Sequence, residues 1–146
     1  MKTIGMLGGM SWESTLSYYR AVNEGVKQSL GGLHSAKIIL YSVDFVEIEE
    51  LQHREDWEKT ADILSGAARS VELAGADFLI ICTNTMHIIA REIQEKISIP
   101  IVHIADATAH ALQQDGIRTT GLLGTKLTWK SLFIKAGWKI TLGLRS

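Results

Sequence analysis

Cys82 is the only cysteine in the chain, and it stands where an apolar run turns polar, in IICTNTMHII (80–89). A thiol at such a place has two readings. It is a small buried hydrophobe, or it is a reactive thiol at the mouth of a site. Where a strand hands over to a helix, amide N–H groups are unpaired and the helix dipole is positive. Both would lower the thiol pKa and raise the thiolate fraction. Thr83, Asn84 and Thr85 come next, and any of them can cap the helix or help hold a small carboxylate. The same residue types are ordinary caps, so the pattern alone leaves both readings open.

The other reactive residue types make weaker patterns. GMLGGMS (5–11) suits a tight turn with close backbone approach to a ligand. It lacks the G-x-G-x-x-G spacing of a dinucleotide site and the lysine of a P-loop. Asp44 does follow a strand, as a ribose-binding acid would, but without those glycines a nicotinamide enzyme is disfavoured. His34, His53, His87, His103 and His110 show no metal-binding spacing with one another, and Cys82 to His87 is not a helical three or four. No metal is expected. His87 reads as core or as support behind the site, and His103 as a satisfied interior histidine in a short strand. Trp12 is the tryptophan placed to line a site.

The elements that must position these residues follow from periodicity. TIGML (3–7) reads as a strand stopped by Gly8 and Gly9. Ser11 reads as the N-cap of a helix that carries Leu16, Tyr19, Val22, Val26 and Leu30 at helical spacing and ends at Gly31 and Gly32. KIILYSV (37–43) is a second strand, and 44–56 reads as a loop with one helical turn. A helix over 56–74 puts Trp57, Ala61, Leu64, Ala68 and Val71 on one face. DFLIICT (77–83) is a continuous apolar strand of the kind covered on both sides. A helix over 85–97, a strand over 101–104, a helix over 106–114 and a strand over 120–124 complete the pattern. This alternation predicts an α/β fold, a three-layer α/β/α sandwich with a mostly parallel sheet. Ligands in such folds bind beyond the carboxyl ends of the strands, where GGMS, CTNT and Gly124-Thr125 would share a rim.

Composition narrows the function. The chain has 146 residues, 46% of them hydrophobic and 21% charged, with a formal net charge of -1. No basic stripe points to nucleic acid, and no apolar run approaches the ~18 residues of a membrane span. A lone cysteine forms no internal disulfide, so a reducing, cytoplasmic setting is expected.

Taken together, IGMLGGMSWEST (4–15), VDF (43–45), CTNTMH (82–87), HIADAT (103–108) and GLLGT (121–125) resemble the aspartate/glutamate racemase family over residues 1–128, most closely its broad-specificity amino-acid racemases. The resemblance implies one half of a pseudo-symmetric two-domain racemase that needs no cofactor. Two cysteines on opposite faces of the α-carbon exchange its proton, each as base in one direction. Cys82 would be one of them. Met10, Ser11, Gln52, Thr83, Asn84, Thr85 and Thr125 would bind the amino acid, aspartate or glutamate.

The chain departs from the family pattern in two ways. The second cysteine, which belongs to the other half, is absent. WKSLFIKAGWKITLGLRS (129–146) is basic and unlike the family's continuation. It reads either as an out-of-frame tail, since FIKAGWK shifted by one frame can encode Tyr-Lys-Gly-Arg-Leu-Glu, or as a genuine extension with helical spacing of Trp129, Leu132, Phe133 and Ala136. In this form the uncovered interdomain surface would favour a homodimer or other association. Racemisation would be weak or absent, and the rival reading is a non-catalytic carboxylate-binding remnant or assembly module.

Overall fold

The computed structural model describes residues 1–122 and 139–142. The elements are β1 (Thr3–Gly8), α1 (Trp12–Leu30), β2 (Lys37–Ser42), α2 (Phe45–His53), α3 (Trp57–Leu73), β3 (Phe78–Ile81), a 3-10 helix (Thr85–Ile89), α4 (Ala90–Gln94), α5 (Ile104–Gln114), β4 (Thr119–Leu122) and β5 (Lys139–Leu142). β1 lies between β2 and β3, and both pairings are parallel. β4 pairs in parallel with β5 as a separate two-stranded sheet. No helix among the described residues is long and apolar enough to cross a membrane.

Alternation along the strands assigns the faces. A Cβ added at Gly5 would overlap the Val71 side chain of α3, whereas one added at Gly8 would overlap Thr15 of α1. Helices therefore cover both sides of the sheet. The main core lies on the α3 side, where Leu7, Leu79 and Ile81 meet Ala61, Leu64, Ala68 and Val71. This is the face expected for α3. Burying a leucine there contributes about 1.5–3 kcal/mol, and Leu64 has no exposed surface.

Side-chain clasps fix the crossover. The Glu72 carboxylate accepts from the Ser98 amide at 2.7 Å, from the Ser98 hydroxyl and from the Ile99 amide at 3.1 Å. Those bonds hold its pKa below the ordinary carboxylate range. Gln94 donates to the carbonyls of Ile97 and Ile99 and accepts from the Ile101 amide.

Five expectations need correction. Residues 45–53 form a nine-residue helix rather than a loop, because the Asp44 side chain accepts from the Val46 amide and caps it. Asp44 is thus a cap. The helix expected over 85–97 is a 3-10 turn followed by the short α4. The strand expected over 101–104 is reduced to one bridge between Leu79 and Ile101. Its successor helix starts at Ile104 because His103 Nδ1 accepts from the Ala105 amide. The apolar stripe of α1 is only partly covered: Leu16 is 49% and Tyr19 47% exposed, Val22 and Val26 are half-buried, and Thr15 is the helix's only buried residue. The tail from 129 onward lies outside the described residues except for β5.

Candidate active site

Cys82 directly follows β3, and its amide donates to the Leu7 carbonyl at 2.9 Å, extending the parallel ladder by one bond. Alternation puts Cys82 on the α1 side, opposite Ile81. The Ser14 hydroxyl, one turn into α1, donates to the Cys82 carbonyl at 2.7 Å. Tyr18 stands a further turn along the same helix. Burial, and then the adjacent Cys82, push its phenol above the ordinary range.

The glycine turn leads from β1 into this helix. Gly9 has φ +92, and a Cβ there would overlap the backbone of Val43 at the end of β2. The Gly9 amide donates to Thr15 Oγ1 at 2.9 Å, and that hydroxyl donates to the Ser11 carbonyl at 3.2 Å. Val43 N–H donates to the Gly8 carbonyl at 3.0 Å. The ends of β1, β2 and β3 therefore meet at one rim, as the α/β topology requires.

The thiol is not activated as expected. Cys82 is 0% exposed, and burial pushes its thiol up to about 12. The local dipole argument loses because the helix that follows is a 3-10 turn beginning three residues later, and the dipole acts only within the first turn. Burial opposes the charged form, and no charge among the described residues offsets it.

The residues after Cys82 form a shaped turn. His87 is 4% exposed. Its Nδ1 lies 2.9 Å from the Thr83 carbonyl and 3.3 Å from the Asn84 carbonyl. Its ring packs edge-on to His103 with centroids 4.6 Å apart. Burial and then His103 lower its pKa to about 4, against the two carbonyl bonds that raise it.

Of the site residues expected from sequence, Cys82, Thr83, Asn84 and Thr85 form one turn. Met10 is buried and Ser11 half-buried in the loop entering α1, where Ser11 is the N-cap without a side-chain bond. Gln52 is half-buried near the end of α2. It makes no hydrogen bond to Cys82, Thr83 or Thr85 among the described residues. Thr125 lies outside the described residues. Trp12 is 64% exposed. His103 is the half-buried cap of α5 rather than an interior strand residue. Sequence reasoning missed Ser14 and Tyr18. Their i, i+4 spacing beside the glycine turn is the signal that places both on one side of α1.

The comparisons with known proteins agree with this fold. The family model for Asp/Glu/hydantoin racemases matches residues 7–139. Broad specificity amino-acid racemase RacX of Bacillus subtilis (strain 168) is 29% identical over 133 residues, 88% of this chain and 56% of its own. The crystal structure of a candidate Asp/Glu racemase from Yersinia pestis superimposes with TM-score 0.91 at 51% identity, covering 97% of this chain and 64% of that one. PH1733 of Pyrococcus horikoshii OT3, an aspartate racemase homologue, superimposes with TM-score 0.86 at 33% identity, covering 99% and 65%. The chain thus spans a little over half to two thirds of the length of these relatives. On the family match and the shared fold, the chain belongs to the Asp/Glu/hydantoin racemase family.

Proposed function

We propose that the turn beyond Cys82 binds a small amino acid, aspartate or glutamate, and that Cys82 exchanges a proton with its α-carbon without a cofactor. The observation that carries this reading is the meeting of Cys82, Ser14 and the Gly9 turn at one strand-end rim, in a chain of this family. Thr83, Asn84 and Thr85 supply hydrogen-bond groups for the substrate carboxylate, with Met10, Ser11, Gln52 and Thr125 as further contacts. Donors at that carboxylate stabilise the carbanion that forms when the α-proton leaves.

The two directions of proton transfer make unequal demands on the sulfur. Delivering a proton to the carbanion needs the neutral thiol, and a thiol raised to about 12 is neutral at working pH. Removing a proton needs the thiolate, which at pH 8 is then about one molecule in ten thousand. Inversion also needs a second acid on the opposite face, and the chain has one cysteine. The expected chemistry of these 146 residues by themselves is slow exchange of the α-proton with little racemisation.

The buried, neutral thiol also favours the second reading, a carboxylate-binding module without catalysis. Incubation with L-aspartate and L-glutamate in heavy water, followed by chiral chromatography and mass spectrometry, separates the two. Deuterated L-amino acid supports one working thiol. Binding without deuterium supports the module, and no binding refutes both. A homodimer is the further reading of the exposed α1 residues Trp12, Leu16 and Tyr19, since exposed apolar area of this kind favours association. A single monomeric species at all concentrations in sedimentation would contradict it.

A further inference from the structure

Three consecutive carbonyls in the turn, those of Cys82, Thr83 and Asn84, each accept from a side-chain donor: Ser14 on the first and His87 on the other two. The His87 bonds fix its chemistry. A carbonyl only accepts, so Nδ1 carries the ring proton. In the neutral ring Nε2 is then bare. His103 is fixed in the opposite sense. Its Nδ1 accepts from the Ala105 amide at 3.1 Å, so its neutral ring is protonated at Nε2. The two rings meet edge to face, one from the turn after β3 and one from the start of α5.

We propose that His87 is a positioning residue for the candidate site: as the Nδ1–H tautomer it holds the Thr83 and Asn84 carbonyls, and so keeps the turn after Cys82 shaped for a substrate carboxylate. The shape matters because a group misplaced by 1 Å is enough to spoil such a site. His87 is buried behind the turn and needs no contact with the ligand. Its ring also packs against His103, so the start of α5 is part of the same support. The proposal rests on the amino-acid-binding reading for its purpose, though not for its geometry.

An asparagine side chain places an N–H donor where His Nδ1 sits, whereas glutamine places its donor nearer the Nε2 position. His87→Asn and His87→Gln therefore remove the same ring but differ in the bond that matters. The full chain, labelled with 15N, gives two readouts. Long-range 1H–15N spectra at pH 7 are expected to show the Nδ1–H tautomer for His87 and Nε2–H for His103. Titration with L-aspartate is expected to give a Kd within threefold of wild type for His87→Asn and at least tenfold weaker for His87→Gln. The Nε2–H tautomer at His87, or equal weakening by both variants, would overturn the proposal. The backbone amide shifts of residues 83–85 test the geometry without any ligand: preserved in His87→Asn and moved in His87→Gln, they uphold the positioning. If both variants move them alike, it is refuted. Wild-type protein that binds no L-aspartate refutes the amino-acid reading instead, and the amide shifts still decide the role of His87. The tautomer is read on wild type, so the test survives a variant that fails to fold.

Discussion

The Ser14 hydroxyl and the Cys82 carbonyl are 68 residues apart in sequence and 2.7 Å apart in space. This bond ties the first turn of α1 to the end of β3, and so joins the glycine turn to the thiol. Ser14→Ala leaves the carbonyl without that donor. A loss of about 1 kcal/mol is expected, read as a lowered urea midpoint. The amide signals of residues 82–84 should move with it, while the α3 core stays unchanged.

Gly9 is the second anchor. Its φ of +92 disfavours any side chain, and a Cβ would run into the Val43 backbone. Gly9→Ala combines left-handed strain with overpacking. The expected cost is about 2–4 kcal/mol, measured by denaturant unfolding. A near-neutral Gly9→Ala would show that the approach of β1 to β2 relaxes easily.

The thiol has its own pH signature. A folded pKa of about 12 lies above the unfolded value, so the folded state keeps a proton that the unfolded chain gives up. This contribution is present below about pH 8.5 and is lost as pH rises from there toward 12. Unfolding midpoints should fall across that window, and the fall should be smaller in Cys82→Ala. Iodoacetamide at pH 8 should modify the folded chain far more slowly than the unfolded one.

His87 acts at the acid end. Its folded pKa of about 4 lies below the ordinary value of 6.5, so the unfolded chain binds the extra proton first. Stability therefore falls as pH drops from about 6.5 to 4, by about 3 kcal/mol in all. Calorimetry of wild type and His87→Asn over this range checks it, and the variant should show the shallower dependence. Equal slopes would assign the acid sensitivity to other groups.

Much of this arrangement was legible in the sequence, because it rests on periodicity and punctuation. The apolar runs of β1, β2 and β3 and the Trp57–Val71 stripe of α3 define the sheet and its main core, and the glycines mark where the chain turns. Local competition hid the rest. A side chain supplies the hydrogen bond that ends or starts an element at Asp44, which makes α2, and at His103, which cuts short the strand after Pro100. The α1 stripe of Leu16 and Tyr19 has helical spacing but is only partly covered among the described residues, since Thr15 turns toward the glycine loop instead. The state of the thiol is hidden in the sequence for a related reason. Its neighbours in sequence favour a thiolate, but burial against distant residues decides its pKa, and no local pattern reports that.

The proposed exchange of a proton between Cys82 and the α-carbon of a bound amino acid can be followed on the amino acid itself. The most direct test is proton NMR of the α-hydrogen of L-aspartate in heavy water with wild type and Cys82→Ala. Wild type should replace that hydrogen slowly, about tenfold faster for each pH unit between 8 and 10, as the thiolate fraction rises, and Cys82→Ala should match buffer alone. Exchange that Cys82→Ala retains, or no exchange above buffer in wild type at any pH, would contradict the account.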